Sequence, residues 1–300
     1  MNSKCEPVVL FEVLGRSGGD GIDVSSSEVL FTDYDGGFVL AVPKAGGPER
    51  TVADQQPNAY LLDVDGNSVY WTRNKGITTS GIDGSARLPL IENLTFAKEL
   101  VAGGGVVLFK DAHITSITLG SSGGVQDVSS NASAHGVHYY KGAAYFLDIL
   151  NGGTVLYAGK SGGTSATTFA SQLSGGQTLG QLVMNADLAY YTVGAQSWAG
   201  ALKRVAKNGT PEPWASGHQV RTLQTSGDLL IWSELASDSD LTSGSLWLDS
   251  TQTSSPKQLL ESTDHVKSLV IDGDAVFYSV ETSAKSYRIM KLSLAAAIGP

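Results

Sequence analysis

Seven short stretches of this chain share one pattern, and that pattern limits the fold more tightly than any other feature. They are "VLFT" from Val29, "VYWT" from Val69, "VLFK" from Val107, "AYFL" from Ala144, "AYYT" from Ala189, "LIWS" from Leu230 and "VFYS" from Val276. Successive starts are 40, 38, 37, 45, 41 and 46 residues apart. The third position is aromatic in every copy: Phe31, Trp71, Phe109, Phe146, Tyr191, Trp232 and Tyr278. Aromatic residues make up 8% of the chain, so chance does not produce such a column. Seven positions before each start stands an aliphatic residue: Ile22, Leu62, Leu100, Val137, Leu182, Leu223 and Leu269. Two residues further on the series is again mostly apolar, as at Val24, Val64 and Ile271, which is the period of a strand with one buried face.

A Gly-rich or polar turn follows each aromatic strand. A third strand comes next, as in "GGFVLAVPKAGG" and "GTVLYAGKSGG", then a weaker fourth, as in "ERTVAD" and "KQLLES". Four strands in about 40 residues make the unit of a β-propeller blade. The last copy ends after its third strand, "YRIMKLSL", and its outer strand is available in "PVVLFEVL" near the amino terminus. Such a closure ties the ends of the ring together and removes an open sheet edge. The sequence therefore predicts an all-β fold, a seven-bladed β-propeller of four-stranded blades, forming a single domain over residues 1–300. Six blades is the alternative if one copy is degenerate. The aromatic column is read as packing between adjacent blades rather than as a ligand box, because rings of that size fill the gap between twisted sheets. The 36 glycines agree with many tight turns, since Gly costs about 1 kcal/mol at each helix-interior position.

At these residues the chain resembles propellers of the YWTD and NHL type, with "VYWT" and "VLFTD" nearest to that motif. It is also similar to short bacterial repeat propellers, whose third strands match "GGFVLAVPKAGG". The resemblance implies a fold shared by receptor ectodomains, recognition and scaffold modules, lyases and lactone hydrolases. It also implies a bacterial, extracytoplasmic setting, either periplasmic or secreted. The Asp that ends the YWTD motif is replaced by Arg73, Val193 and Val280 in three copies, so the charge ladder of the receptor type is incomplete.

Charge and cysteine content exclude several classes. The net charge of −9 argues against a general nucleic-acid binder, which needs a basic surface to displace counterions, and against anionic membrane surfaces. No apolar run approaches the roughly 18 residues of a membrane span. Cys5 is the single cysteine, so neither an internal disulfide nor a cysteine zinc cluster can form. It is read as a free thiol, with a lipid-anchor residue as the alternative. A monomer is expected.

The repeat also indexes the mouth of the expected central channel. Nine positions before each motif stand Asp20, Tyr60, Lys98, His135, Gly180, Arg221 and Lys267, a polar column with three cations in an acidic protein. Beside it Glu99 and Gln181 point into the channel, and Asp23, Asp63, His138 and Gln224 lie deeper. Asp33, Arg73, Asp111, Asp148 and Glu234 share the same face. Two readings of the cations remain open. They pair with these carboxylates between blades, or they form a ring that binds a carboxylate, a phosphate or an acidic protein segment, with Arg221 able to fork two oxygens. The first functional expectation is a non-enzymatic recognition propeller binding through Asp20, Tyr60, Lys98, Glu99, Gln181, Arg221 and Lys267. An alternative is a lyase- or lactonase-like enzyme, with catalytic His135 or His138 as general base beside Asp23, Asp63 or Glu99. A plain protein-interaction scaffold is the third. No cofactor is expected, although the enzyme reading brings in a divalent cation.

His113, His218 and His265 are expected at surface or loop positions. "DVDG" at 63–66 and "DGD" at 272–274 are read as tight turns rather than calcium loops, and "SDSDLTSG" at 237–244 as a long solvated loop. The sequons at Asn93, Asn131 and Asn208 are read as chance in a Ser/Thr-rich chain. No phosphate loop and no nucleophile elbow is found.

Overall fold

The computed structural model describes residues 6–120, 124–129, 134–150, 153–160, 166–173, 178–196, 199–237, 240–251, 253–262, 264–282 and 285–295. Cys5, Asn131 and residues 238–239 therefore lie outside the described residues. The strands, in chain order, begin with β1 (Val8–Val13), β2 (Ile22–Val24), β3 (Glu28–Asp33), β4 (Phe38–Pro43) and β5 (Arg50–Ala53). Next come β6 (Leu62–Asp65), β7 (Ser68–Arg73), β8 (Gly76–Gly81), β9 (Leu88–Glu92), β10 (Glu99–Gly103), β11 (Val106–Lys110), β12 (Ile114–Thr118) and β13 (Val125–Ser129). They are followed by β14 (His135–Tyr140), β15 (Ala143–Leu150), β16 (Gly153–Lys160), β17 (Ala166–Ser171), β18 (Thr178–Asn185), β19 (Leu188–Gln196) and β20 (Ala199–Ala206). The series ends with β21 (Glu212–Ser226), β22 (Leu229–Ser237), β23 (Asp240–Ser250), β24 (Thr253–Ser262), β25 (His265–Asp272), β26 (Ala275–Thr282) and β27 (Ser286–Ser293).

The strands form antiparallel sheets in meander order. Four-stranded sheets comprise β2–β5, β6–β9, β10–β13 and β14–β17, and β18–β24 follow one another as seven strands. The remaining sheet has the order β1-β27-β26-β25, so the amino-terminal strand completes the carboxy-terminal sheet as expected. Expected blades five and six are thus recorded as one continuous sheet. β21 is long because it combines the outer strand of one copy with the first strand of the next. The acidic stretch near residue 240, expected as a long loop, is instead taken up largely by strand, because β23 already begins at Asp240.

The chain divides into two compact units. One comprises residues 1–94, 231–248 and 257–300, and the other residues 95–230 and 249–256. Within the first unit β2 lies beside both β25 and β6, and within the second β14 lies beside both β10 and β18. First strands of neighbouring sheets are therefore adjacent.

The aromatic column forms the inter-sheet core. Phe31, Trp71, Phe109, Phe146, Tyr191, Trp232 and Tyr278 are all at most 1% exposed, and the seven aliphatic residues of the first strands are all buried. Each ring whose cluster is defined packs back onto the preceding sheet. Phe31 meets Phe277 and Ile289, and Trp71 meets Leu30, Val39 and Ala41. In the second unit Phe146 meets Val106 and Leu108, and Tyr191 meets Leu147 and Phe169. The residue before the ring supplies the opposite surface, as Leu30, Leu108 and Phe277 show. Consecutive side chains on one strand thus fill two successive gaps, which is what period-2 alternation does in a stack of sheets.

The outer strands share a second device. In six of the outer-strand pairings one residue is left over on the outer strand: Leu10, Val52, Leu90, Val128, Phe169 and Trp214 in turn. Each is a β-bulge, and each extra residue is apolar. Val52, Val128, Phe169 and Trp214 are buried together with the residue that follows. The bulge turns two consecutive side chains inward and breaks the regularity of the exposed edge.

The turns follow the sequence reading. Gly66 and Gly273 open the two-residue turns of their hairpins at φ +60° and +56°, the left-handed conformation that glycine adopts without strain. No helix among the described residues is long and apolar enough to cross a membrane.

Candidate functional site

The residue after the aromatic ring explains how first strands are joined. In the first unit the Thr32 hydroxyl accepts from Gly21 N at 3.2 Å and donates to Tyr60 O on the neighbouring sheet at 2.7 Å. Ser279 Oγ makes the equivalent bridge to Gly19 O at 2.5 Å. Thr72 accepts from Leu61 N, and in the second unit Thr192 accepts from Gln181 N. A hydroxyl suits this place because it accepts from the first strand of its own sheet while donating to the next sheet. In "VLFK" the place is taken by Lys110, which is buried and whose Nζ donates to Ala134 O. Sequence reasoning did not select Lys110. Its position in the hydroxyl column was the available signal.

Carboxylates add a second set of joints. Asp23 Oδ2 accepts from Val64 N at 2.7 Å, and its carboxyl is hydrogen-bonded to that of Asp63, which itself accepts from Val64 N at 2.8 Å. Burial raises the Asp23 pKa despite these bonds. In the second unit Glu99 accepts from Gly136 N at 3.0 Å and Val137 N at 2.6 Å. Those amides lie within the bulge between His135 and His138. A side chain on Gly136 would meet Gly180 O at 2.8 Å, so glycine is required where these first strands approach. Desolvation raises the Glu99 pKa, and it lowers that of Lys110, which lies close enough to interact with Glu99 and Asp148.

The mouth column divides in its behaviour. Lys267 Nζ lies 2.7 Å from Asp20 Oδ1 and 3.5 Å from Glu281 Oε2, with lysine and Asp20 side chains 10% and 13% exposed. Tyr60 is half-buried and meets Tyr34 edge to face at 6.2 Å. Lys98 and Gln181 are exposed, and Arg221 is half-buried. His138 is half-buried, stacks on Tyr140 with centroids 6.5 Å apart, and has its pKa lowered by burial to about 4. It is a neutral imidazole near pH 7. His135 opens the same strand, β14.

Residues four after each motif start serve local structure. Asp33 is fully buried, pairs with Arg16 at 3.1 Å and accepts from Gly36 N at 2.8 Å, and desolvation raises its pKa. Asp111 accepts from Thr95 N and Phe96 N, Asp148 from Ser129 Oγ, and Glu234 from Trp232 Nε1. Arg73 bonds Thr78 and Glu92. His265, expected at the surface, is buried at the start of β25, whereas His113 is half-buried. Among the described residues no group of three or more His, Cys, Asp or Glu side chains is placed to hold a metal ion. Asn93 and Asn208 are both exposed at positive φ.

Open space lies on loops of the first unit. A cleft of about 300 Å3 is lined by the β3–β4 turn and the loop between β5 and β6. A second, of about 180 Å3, continues from Gln55 and Gln56 to Arg73 and Arg87.

No family model and no curated protein sequence matches the chain. Solved structures do. The amino-terminal domain of Nup159 superposes with a TM-score of 0.62 at 9% identity, over 98% of this chain and 97% of that one. A chain in the mitotic checkpoint complex gives 0.68 at 11% identity, over 96% and 94%. The extracellular domain of the putative one-component system BT4673 from B. thetaiotaomicron gives 0.65 at 13% identity, over 96% of this chain and 42% of that one. These neighbours are β-propeller-like. The fold is a β-propeller. The likeness supports that architecture and not the narrower YWTD or NHL type.

Proposed function

We propose that this propeller is a non-enzymatic recognition module that binds an acidic segment of a partner protein on its loop-bearing face. The observation that carries the reading is the use made of the first-strand carboxylates. Asp23, Asp63 and Glu99 all accept backbone N–H groups, and Asp20 is held by Lys267, so these groups build a rigid frame instead of a reactive centre. Rigid frames bearing variable loops are well suited to recognition. His138, held neutral by burial, adds shape and stacking rather than a base poised near neutral pH. Lys98 and Arg221, both in the mouth column, are the proposed cationic contacts, with Gln181 beside the column as a polar contact. A neighbour within the mitotic checkpoint complex supports a role in protein interaction, and an extracellular-domain neighbour supports an extracytoplasmic location. The test is a thermal-shift and anisotropy screen with acidic peptides and their amide counterparts. Selective binding of the acidic form supports recognition; no saturable binding of either form rejects it.

A further inference from the structure

The two clefts of the first unit share Gln55 and Gln56, so they read as one groove along the junction of the first and second sheets. Its floor is fixed. Gln56 is buried, donates to Asp54 O and Gln55 O, and accepts from Trp71 Nε1 at 3.0 Å. Its walls are fixed as well, because Asn58 Nδ2 donates to Asn74 Oδ1 at 2.6 Å and ties the loops of the two sheets together. A preformed groove spares a ligand the cost of ordering it.

The narrower half carries charge of one sign. Its lining includes Arg73 and Arg87 and no carboxylate. Arg73 is held by Thr78 Oγ1 within the lining at 2.8 Å and by the Glu92 carboxylate at 3.1 Å, and Arg87 by the Asp54 carbonyl at 3.0 Å and its carboxylate at 3.2 Å. Those carboxylates are 61% and 55% exposed, and surface pairs of this kind contribute little to stability. An incoming carboxylate that forks either arginine therefore displaces a weakly held competitor. Leu88, 47% exposed, lies beside Arg87 in the same lining, and the wider half offers Tyr34 and Pro57 together with one carboxylate, Asp35, which accepts from Ser17 N at 2.7 Å. Cations next to exposed apolar and aromatic surface, in a groove joining two sheets, suit a chain that alternates acidic and apolar side chains.

We propose that this groove binds an extended acidic peptide segment of a partner protein, with a Glu or Asp side chain on Arg73 or Arg87 and an apolar residue against Tyr34 and Pro57. The inference rests on the recognition reading and assigns it a second location, separate from Lys98 and Arg221. The probe is a fluorescein-labelled octapeptide alternating Glu and Pro, which is extended in solution, compared with its Gln–Pro counterpart by anisotropy. The expected result is at least about tenfold weaker binding of the Gln peptide, and a similar loss of Glu-peptide binding in Arg73→Ala and Arg87→Ala. Glu92→Gln, which releases Arg73, is expected to tighten binding about two- to threefold; a gain of this kind does not arise from misfolding. Equal binding of the two peptides, or unchanged binding in both arginine variants, overturns the groove. If Lys98→Ala and Arg221→Ala lose the peptide while the groove variants keep it, recognition stands and the groove assignment falls. If no variant alters binding and neither peptide saturates, both fall.

Discussion

Thr32→Val tests the hydroxyl joint between neighbouring sheets. The replacement is nearly isosteric and keeps the side chain at a fully buried position. It deletes an acceptor for Gly21 N and a donor to Tyr60 O, bonds of 3.2 and 2.7 Å. Each hydrogen bond contributes about 1 kcal/mol net, and a buried partner left unmade costs about 1–3 kcal/mol. Relaxation of the loops recovers part of this, so a loss of about 2–4 kcal/mol is expected. Thr32→Ser is the control: it retains both bonds and loses one methyl group, at about 1 kcal/mol. For a chain of this size 1 kcal/mol corresponds to about 2 °C in Tm. The valine variant should therefore melt about 4–8 °C below the parent, and the serine variant about 2 °C below. Thermal unfolding by circular dichroism gives the comparison, and amide exchange at Gly21 should accelerate in the valine variant alone. If valine and serine behave alike, the stabilisation resides in packing, and the proposed joint between sheets is refuted.

Other outcomes follow from the same structure. Lys267→Met should cost about 2 kcal/mol, because it removes the ammonium beside the half-buried Asp20; Lys267→Met combined with Asp20→Asn should cost less than the single change, and a urea-unfolding double-mutant cycle measures the difference. His138 should titrate by NMR with a midpoint of about 4; since its folded value lies below the ordinary 6.5, its contribution to stability is present above 6.5 and is lost as pH falls toward 4. Glu99 has a folded pKa above the ordinary 4.5, so its contribution is greatest below 4.5 and declines as pH rises through the folded value. Glu99→Gln should remove that decline, which shows as a parent-minus-variant stability difference that falls with pH. Trp71→Ala should lower stability by about 3–5 kcal/mol, and Trp71→Phe by much less, measured by chemical unfolding.

The aromatic and aliphatic columns were legible because burial acts on side-chain type at fixed spacing. Every ring from Phe31 to Tyr278 is buried where that spacing placed it. The amino-terminal strand was legible because the last copy lacked a partner that β1 could supply. The fate of polar residues was harder to read. Lys267 reaches Asp20 from a neighbouring strand, and Glu99 reaches two amides freed by a bulge, and neither relation is written in spacing along the chain. Lys110 was passed over because the hydroxyl column was read as part of a motif instead of as a set of bridges. The groove was not legible because it depends on where Gln55 turns, at φ 53°, a residue type that seldom adopts the left-handed region.

The leftover residue in these outer strands has a consequence for how copies of this protein meet in a crowded solution. A straight rim strand is a template on which another chain can crystallise, rung upon rung, into a fibre. Here Leu10, Val52 and Leu90 throw the rungs out of step, so an approaching strand runs out of matching partners within a few residues. Excising Leu10, which is only partly buried, would hand the periphery a ladder that strangers could climb.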